Sequence, residues 1–135
     1  MPFVVDASVI AAWALDEEDL VAAHASAQLR TDAAMAPGLL WWELRNVLVI
    51  AERHGRLTEL RTTEFLSQLS RIAITIDQSP DEAAVLGLAR RHRLTVYDAG
   101  YLELALRQTL PLATLDQPLA RAARAERVPL LGSAA

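Results

Sequence analysis

Residues 3–10 read FVVDASVI, and this short stretch decides the fold. The apolar, partly β-branched run from Phe3 to Val5 predicts a buried strand close to the start of the chain. This strand ends directly at Asp6, and small residues around Ser8 then lead into a predicted helix. A carboxylate at the end of a buried strand acts either as a helix cap or as a group with chemistry of its own.

The composition predicts one domain over residues 1–135, without a membrane segment. The chain is 53% hydrophobic, but it contains no run of 18 apolar residues that could span a bilayer. Residues 3–15 mimic the core of a signal peptide, with a cleavage-like Ala12-Trp13-Ala14, yet no basic residue precedes them and Asp6 interrupts them. Without cysteine there is no disulfide or thiolate metal site, and we expect a cytoplasmic protein.

The charge balance excludes binding of nucleic acid by bulk charge. The chain has 13 basic and 17 acidic residues, a formal net charge of −4, and all its basic residues are arginine. A polyanion therefore needs local arginine clusters or bound cations to hold it. Three arginine clusters occur, at 53–61, 90–93 and 121–127, and each is also typical of a solvated helix face.

Predicted helices and strands alternate along the chain. Helices are expected from the acidic run 16–19 to about Arg30, from Pro37 to Gly55, from the cap Thr58 to about Ser70, from the cap Ser79 to about Arg93, from the cap Thr95 to Arg107, and over 117–126. Further strands are expected at 33–36, at 72–76, within 110–116 and at 128–131. This alternation predicts an α/β fold of three layers, α/β/α, around a mainly parallel sheet of about five strands.

Two carboxylates follow predicted strands. In parallel sheets the working site lies at the carboxyl ends of the strands, and Asp6 and Asp116 both stand at such an end. Asp116 also suits the N-cap of the next helix, and Asp98 suits a helix start three residues after Thr95. Because Ser8 looks the better cap for the first helix, Asp6 is interpreted as free for chemistry.

A fourth acid, Glu43, lies in an apolar helical stretch beside Trp41 and Trp42, where an unpaired acid is rare. Carboxylates about 4 Å apart repel by about 4 kcal/mol even at an effective dielectric constant near 20. No lysine exists to neutralise them, and no arginine adjoins Asp6 or Asp116 in the sequence. A cluster of oxygen ligands without nearby cysteine or histidine favours Mg²⁺ or Mn²⁺ over Zn²⁺.

Four segments in order resemble the PIN domain: VVDASV (4–9), ELRNVL (43–48), TVYDAGYLELA (95–105) and ATLDQPLARAA (113–123). The resemblance covers nearly the whole chain, and within the family it is greatest to the VapC toxins of toxin–antitoxin pairs. It implies a metal-dependent endoribonuclease that leaves a 5′-phosphate and a 3′-hydroxyl. It also implies that Mg²⁺ or Mn²⁺ is held by an acidic quartet, which here is Asp6, Glu43, Asp98 and Asp116.

Three further positions match the family pattern. Ser8 and Thr114 match hydroxyl residues beside the first and last aspartates, and Asn46 matches the asparagine three residues after the glutamate. We expect Ser8 and Thr114 to donate hydrogen bonds that fix the carboxylates. In the metal-assisted hydrolysis that the resemblance implies, the three aspartates would bind the cation directly or through water, and Glu43 would complete the site or orient the attacking water.

Rival interpretations are a phosphatase, another nuclease and a binding module. A haloacid dehalogenase-type phosphatase needs a second aspartate where this chain has Ser8. A ribonuclease H-like fold begins with an antiparallel meander, whereas this chain passes from strand to helix at once. A non-catalytic PIN-fold binding module, or a PIN nuclease outside a toxin–antitoxin pair, stays open as an alternative.

The tryptophans suggest a protein partner. Adjacent Trp41 and Trp42 point about 100° apart on a helix and cannot share one core face. We therefore expect that at least one of these two or Trp13 lines a surface groove. VapC toxins are held inactive by a VapB-like antitoxin and tend to form homodimers, so the resemblance implies both partners besides RNA.

Overall fold

A computed structural model describes residues 1–132. The last three residues of the predicted domain 1–135 lie outside the described residues. The described elements, in chain order, are β1 (Phe3–Val5), α1 (Ala7–Ala14), α2 (Leu20–Gln28), β2 (Ala34–Pro37), α3 (Leu39–Arg53), α4 (Glu59–Leu69), β3 (Ile74–Asp77), α5 (Glu82–His92), α6 (Val96–Gln108), β4 (Leu112–Ala113) and α7 (Gln117–Ala125).

The four strands form one parallel sheet in the order β3-β2-β1-β4. The α/β class, the parallel sheet and the strand at Phe3–Val5 are confirmed. A fifth strand at 128–131 does not form among the described residues, because Leu130 makes only an isolated bridge to Leu112. The sheet therefore ends at β4 on that side, where two backbone hydrogen bonds, from Leu112 N–H to Pro129 O and from Leu131 N–H to Leu112 O, both at 2.9 Å, form the bridge.

Strand β1 lies in the middle of the sheet and separates two apolar cores. Phe3 and Val5 pack into one core together with residues of α1, α2, α3 and α4. Val4 points the other way and packs with residues of α5, α6 and α7. Since alternate strand residues face opposite sides, this short apolar run fixes a three-layer arrangement.

The starts of two helices differ from the sequence predictions. Helix α3 begins at Leu39, because Pro37 pairs with Asp77 in the β2–β3 ladder and Gly38 stands at the N-cap. Helix α5 is capped by Asp81, whose carboxylate accepts a hydrogen bond from the Ala84 N–H at 3.0 Å, so the predicted Ser79 cap is wrong.

The predicted caps Thr58 and Thr95 are confirmed, since each side chain accepts a hydrogen bond from the first turn of its helix. Among the described residues, no helix combines the length and the apolar character that crossing a bilayer would require.

Candidate active site

Asp6 follows the last residue of β1 and serves as the N-cap of α1. Its Oδ1 accepts a hydrogen bond from the Val9 N–H at 3.2 Å. The expectation that Ser8 caps this helix is therefore wrong, because Ser8 already lies inside the first turn. Asp6 is only 3% exposed, and a single carboxylate both caps the helix and faces the edge of the sheet.

Two hydroxyl groups hold the Asp6 carboxylate from opposite sides. Ser8 Oγ donates to Asp6 Oδ1 at 2.6 Å and accepts from the Leu115 N–H at 2.9 Å. Thr114 Oγ1 donates a short hydrogen bond to Asp6 Oδ2 and accepts from the Asp116 N–H at 3.0 Å. These hydrogen bonds join the loop after β1 to the loop after β4 and hold the Asp6 carboxylate in one orientation.

Asp116 stands at the N-cap of α7, three residues beyond the end of β4. Its Oδ2 accepts from the Leu119 N–H at 2.9 Å. The prediction that Asp116 caps the following helix is therefore confirmed. It leaves Oδ1 of the carboxylate for other contacts, so capping and metal binding are compatible in this residue.

Glu43 and Asp98 approach from two helices. Glu43 is half-buried on α3, and its Oε1 accepts from the Tyr101 hydroxyl at 2.9 Å. Asp98 lies in the first turn of α6, where its N–H donates to Thr95 Oγ1 at 3.0 Å, and its side chain is half-buried. Tyr101 stands three residues after Asp98, so one face of α6 presents both side chains.

The four carboxylates influence each other electrostatically. Burial raises the pKa of Asp6 to about 6 against an ordinary 3.8, despite the hydrogen bonds that it accepts. Burial and the charges of Asp116 and Glu43 raise the pKa of Asp98 to about 6. Burial, with a further contribution from Asp116, also raises the pKa of Glu43. Within residues 1–132, none of the four takes part in an ion pair.

The side chains are close enough to repel but are not arranged as ligands. In the described part of the chain, no group of three or more His, Cys, Asp or Glu residues converges as a metal site. The donor set still fits a hard divalent cation, because it consists of carboxylate oxygens only.

Sequence reasoning assigned no role to two tyrosines beside these acids. Tyr101 is fully buried, and burial together with the charge of Glu43 raises the pKa of its hydroxyl, which therefore stays protonated and donates to Glu43. Tyr97 is 62% exposed and lines a surface cleft with Trp42, Glu43 and the exposed Asn46. The three-residue spacing between Asp98 and Tyr101 in the sequence places both on one helix face, and this spacing could have indicated that Tyr101 lies beside the acids.

A model of the PIN domain family matches residues 3–125. The chain therefore belongs to the PIN domain family, whose members are generally nucleases. No curated protein matches the chain significantly.

Among solved structures, the chain is similar to the crystal structure of PAE2754 from Pyrobaculum aerophilum. The two chains are 25% identical, with a TM-score of 0.71 over 90% of this chain and 84% of the other. This likeness agrees with the three-layer architecture and the parallel order of the strands.

Proposed function

We propose that this PIN domain is a metal-dependent endoribonuclease and that Asp6, Glu43, Asp98 and Asp116 hold its Mg²⁺ or Mn²⁺. The observation that carries this proposal is the group of four acids at one sheet edge without an ion-paired cation among the described residues. A buried acid without such a partner is costly. An oxygen-binding divalent cation would neutralise the group.

The surrounding residues support distinct tasks for the acids. Asp6 is fixed by Ser8 and Thr114, so it offers a rigid carboxylate. Glu43 is oriented by Tyr101, which leaves its Oε2 to accept a hydrogen bond from a water that attacks the phosphodiester. When bound, the cation would polarise the phosphate and activate water. The products would carry a 5′-phosphate and a 3′-hydroxyl, as in the VapC toxins that the sequence resembles.

We further propose that the protein is a VapC-like toxin whose antitoxin is encoded beside it. A groove of about 540 Å³ runs between α3, α4 and β3, with Trp41, Leu44, Leu66, Leu69 and Ile74 among its lining residues. This groove suits the apolar face of a helix from a VapB-like partner. A basic side chain of that partner placed among the acids would then block the site.

Cytoplasmic location and a homodimer complete this proposal. Trp41 is 51% exposed, and Val49 and Ile50 on the same helix are 40% and 39% exposed. Helix α3 therefore offers apolar surface beyond what its own core covers, and this surface suits a second copy or an antitoxin.

The experiment is RNA cleavage by the purified protein with Mn²⁺, with Mg²⁺ and with EDTA, followed by sequencing of the cleaved ends. Cleavage in the metal arms alone supports the nuclease, and its absence in all arms contradicts it. Expression with and without the neighbouring gene tests the toxin. If the neighbour's product does not bind, or binds without changing cleavage, the toxin proposal fails while the nuclease proposal stands.

A further inference from the structure

A cleft of about 410 Å³ opens beside the acidic group and is lined by Leu39, Trp42, Glu43, Asn46 and Tyr97. Its two aromatic side chains come from different helices, Trp42 from α3 and Tyr97 from α6. Each directly precedes one of the four acids in the sequence, since Trp42 adjoins Glu43 and Tyr97 adjoins Asp98. We name this feature the Trp42–Tyr97 cleft.

Both aromatic rings are displayed to solvent rather than used in a core. Trp42 is 74% exposed and Tyr97 is 62% exposed, and neither belongs to the two apolar cores. A fully buried tryptophan or tyrosine stabilises a fold through its large apolar area. Two such rings left exposed around one cavity therefore favour a ligand with flat apolar faces.

The polar lining narrows the class of ligand. The Asn46 amide can donate and accept hydrogen bonds, which matches the mixed donor and acceptor edge of a nucleobase. Glu43 belongs both to this cleft and to the acidic group, so a ligand in the cleft lies next to the proposed cleavage centre. Unpaired bases stack readily on aromatic side chains because every base has a π-face.

We propose that the Trp42–Tyr97 cleft binds an unpaired base of the RNA strand, in the nucleotide that flanks the bond to be cut. This inference rests on the proposed nuclease function and adds a binding determinant to it. Stacking on Trp42 and Tyr97 holds the strand, and Asn46 reads the edge of the base. The bound base is unpaired, because stacking on the two rings and hydrogen bonding to Asn46 use a face and an edge that a paired base keeps inside the duplex.

The neighbouring Trp41 is not a neutral control, because it lines the groove proposed for the antitoxin and contacts Trp42 directly. Its ring lies against that of Trp42, with centroids 4.7 Å apart, but it lines the groove on the α4 side and is covered by the Arg45 guanidinium at 4.0 Å. Of the two tryptophans, only Trp42 lines the cleft. Leu60 on α4 is 68% exposed and lines neither that groove nor the cleft, so Leu60→Ala is the control that removes an exposed apolar side chain elsewhere.

The test uses the full chain with Mn²⁺ and a labelled, unstructured RNA pool of random sequence. Cut sites mapped in that pool define a short RNA, which is also made with an abasic nucleotide on either side of the cut. Trp42→Ala and Tyr97→Ala should raise the RNA concentration at half-maximal single-turnover rate by about fivefold to a hundredfold. Trp42→Phe should restore most of the affinity, and Leu60→Ala should leave the affinity within about twofold of the wild-type value.

The abasic RNA links the effect to the base. The wild-type protein should bind the abasic RNA about as weakly as the Trp42→Ala protein binds the complete RNA. Combining the abasic RNA with Trp42→Ala should lower the affinity little further than either change alone. If Trp42→Ala and Tyr97→Ala bind and cut RNA like the wild type, the inference fails and the nuclease proposal stands. If they lose only binding of the neighbour's product, the cleft is a protein-binding site and the inference is overturned. If the wild type cuts no RNA with Mn²⁺ or Mg²⁺, both fail together.

Discussion

Two groups of carboxylates in this molecule have similar burial and opposite electrostatics. In the first, which we name the Arg107 group, Glu103 is 3% exposed and accepts from Arg107 Nε at 2.7 Å. The same guanidinium donates to both oxygens of Asp77, at 3.1 and 2.6 Å. The second is the acidic group of Asp6, Glu43, Asp98 and Asp116. In it, Asp6 is equally buried at 3%, and within the described part of the chain its carboxylate accepts hydrogen bonds only from two hydroxyls and a backbone N–H.

The difference between the groups is a cation that the chain itself supplies. Arg107 lowers the pKa of Asp77, whereas burial raises the pKa of Asp6. Both groups lie near the carboxyl ends of parallel strands, since Asp77 ends β3 and Asp6 follows β1. Among residues 1–132, an arginine neutralises the first pair of acids, whereas the four acids of the second group form no ion pair. This difference favours a structural role for the first group and metal binding for the second.

The largest expected effect is on cleavage. Asp6→Asn or Asp98→Asn removes a charge from the acidic group and should lower the cleavage rate by about a thousandfold or more, or about 4 kcal/mol. Asparagine caps a helix about as well as aspartate, so Asp6→Asn should keep α1 and the fold. The measurement is single-turnover RNA cleavage, together with a melting curve.

Asp77→Asn is the matched control, because it makes the same chemical change in the Arg107 group. It should cleave RNA at nearly the wild-type rate. Wild-type cleavage by Asp6→Asn, or an equal loss in Asp77→Asn, would contradict the distinction between the two groups.

The next effect concerns stability. Arg107→Ala leaves Glu103 buried without its cation and should lower the free energy of unfolding by about 3 kcal/mol. Arg91→Ala removes an ion pair with Glu126 in which the arginine is 61% exposed, and it should cost about 1 kcal/mol or less. Urea unfolding without metal measures both. A loss in Arg107→Ala no larger than that in Arg91→Ala would show that the buried pair is not structural.

Metal binding should stabilise the protein only through the acidic group. If the folded chain alone binds Mn²⁺ or Mg²⁺, metal at a hundred times its dissociation constant should add about 2.7 kcal/mol to the free energy of unfolding. The Asp77→Asn protein should show the same gain. A variant with Asn or Gln at all four acids should show none, and an equal gain in that variant would rule out the proposed ligands.

The sequence predicts the architecture better than the site. The apolar run before Asp6, the caps Thr58 and Thr95 and the alternation of elements are local signals, and they are confirmed. The cap at Asp81 was missed because Ser79 and Pro80 offer an equally good local pattern. Local spacing could not decide between two neighbouring caps.

Local sequence signals of this kind do not predict contacts between residues that are far apart in the chain. Arg107 meets Glu103 at helical spacing, which is predictable, but its contact with Asp77 across 30 residues depends on packing. The same holds for the Tyr101–Glu43 hydrogen bond, which joins residues 58 apart. The sequence interpretation of Asp6 as free of capping was wrong because one carboxylate can cap α1 and still face the site.

The smallest expected effect is a pH dependence of opposite sign in the two groups. The pKa of Asp6 is raised to about 6 in the folded chain, so the folded state binds this proton more tightly than the unfolded state does. The ionised Asp6 carboxylate therefore lowers the free energy of unfolding by its full amount above about pH 6, and this penalty disappears as the pH falls towards 4. Without metal, the wild type should therefore gain on the order of 2 kcal/mol relative to Asp6→Asn between pH 7 and pH 4.

Asp77 should behave in the reverse way. Its pKa is lowered by Arg107, so its stabilising contribution is present above the ordinary pKa of 3.8 and is lost only as the pH falls below that value. Urea unfolding in EDTA at several pH values, for the wild type, Asp6→Asn and Asp77→Asn, separates the two contributions. Equal pH dependence in the wild type and Asp6→Asn would mean that the pKa of Asp6 is not raised by folding. The proposed electrostatic difference between the two groups would then be wrong.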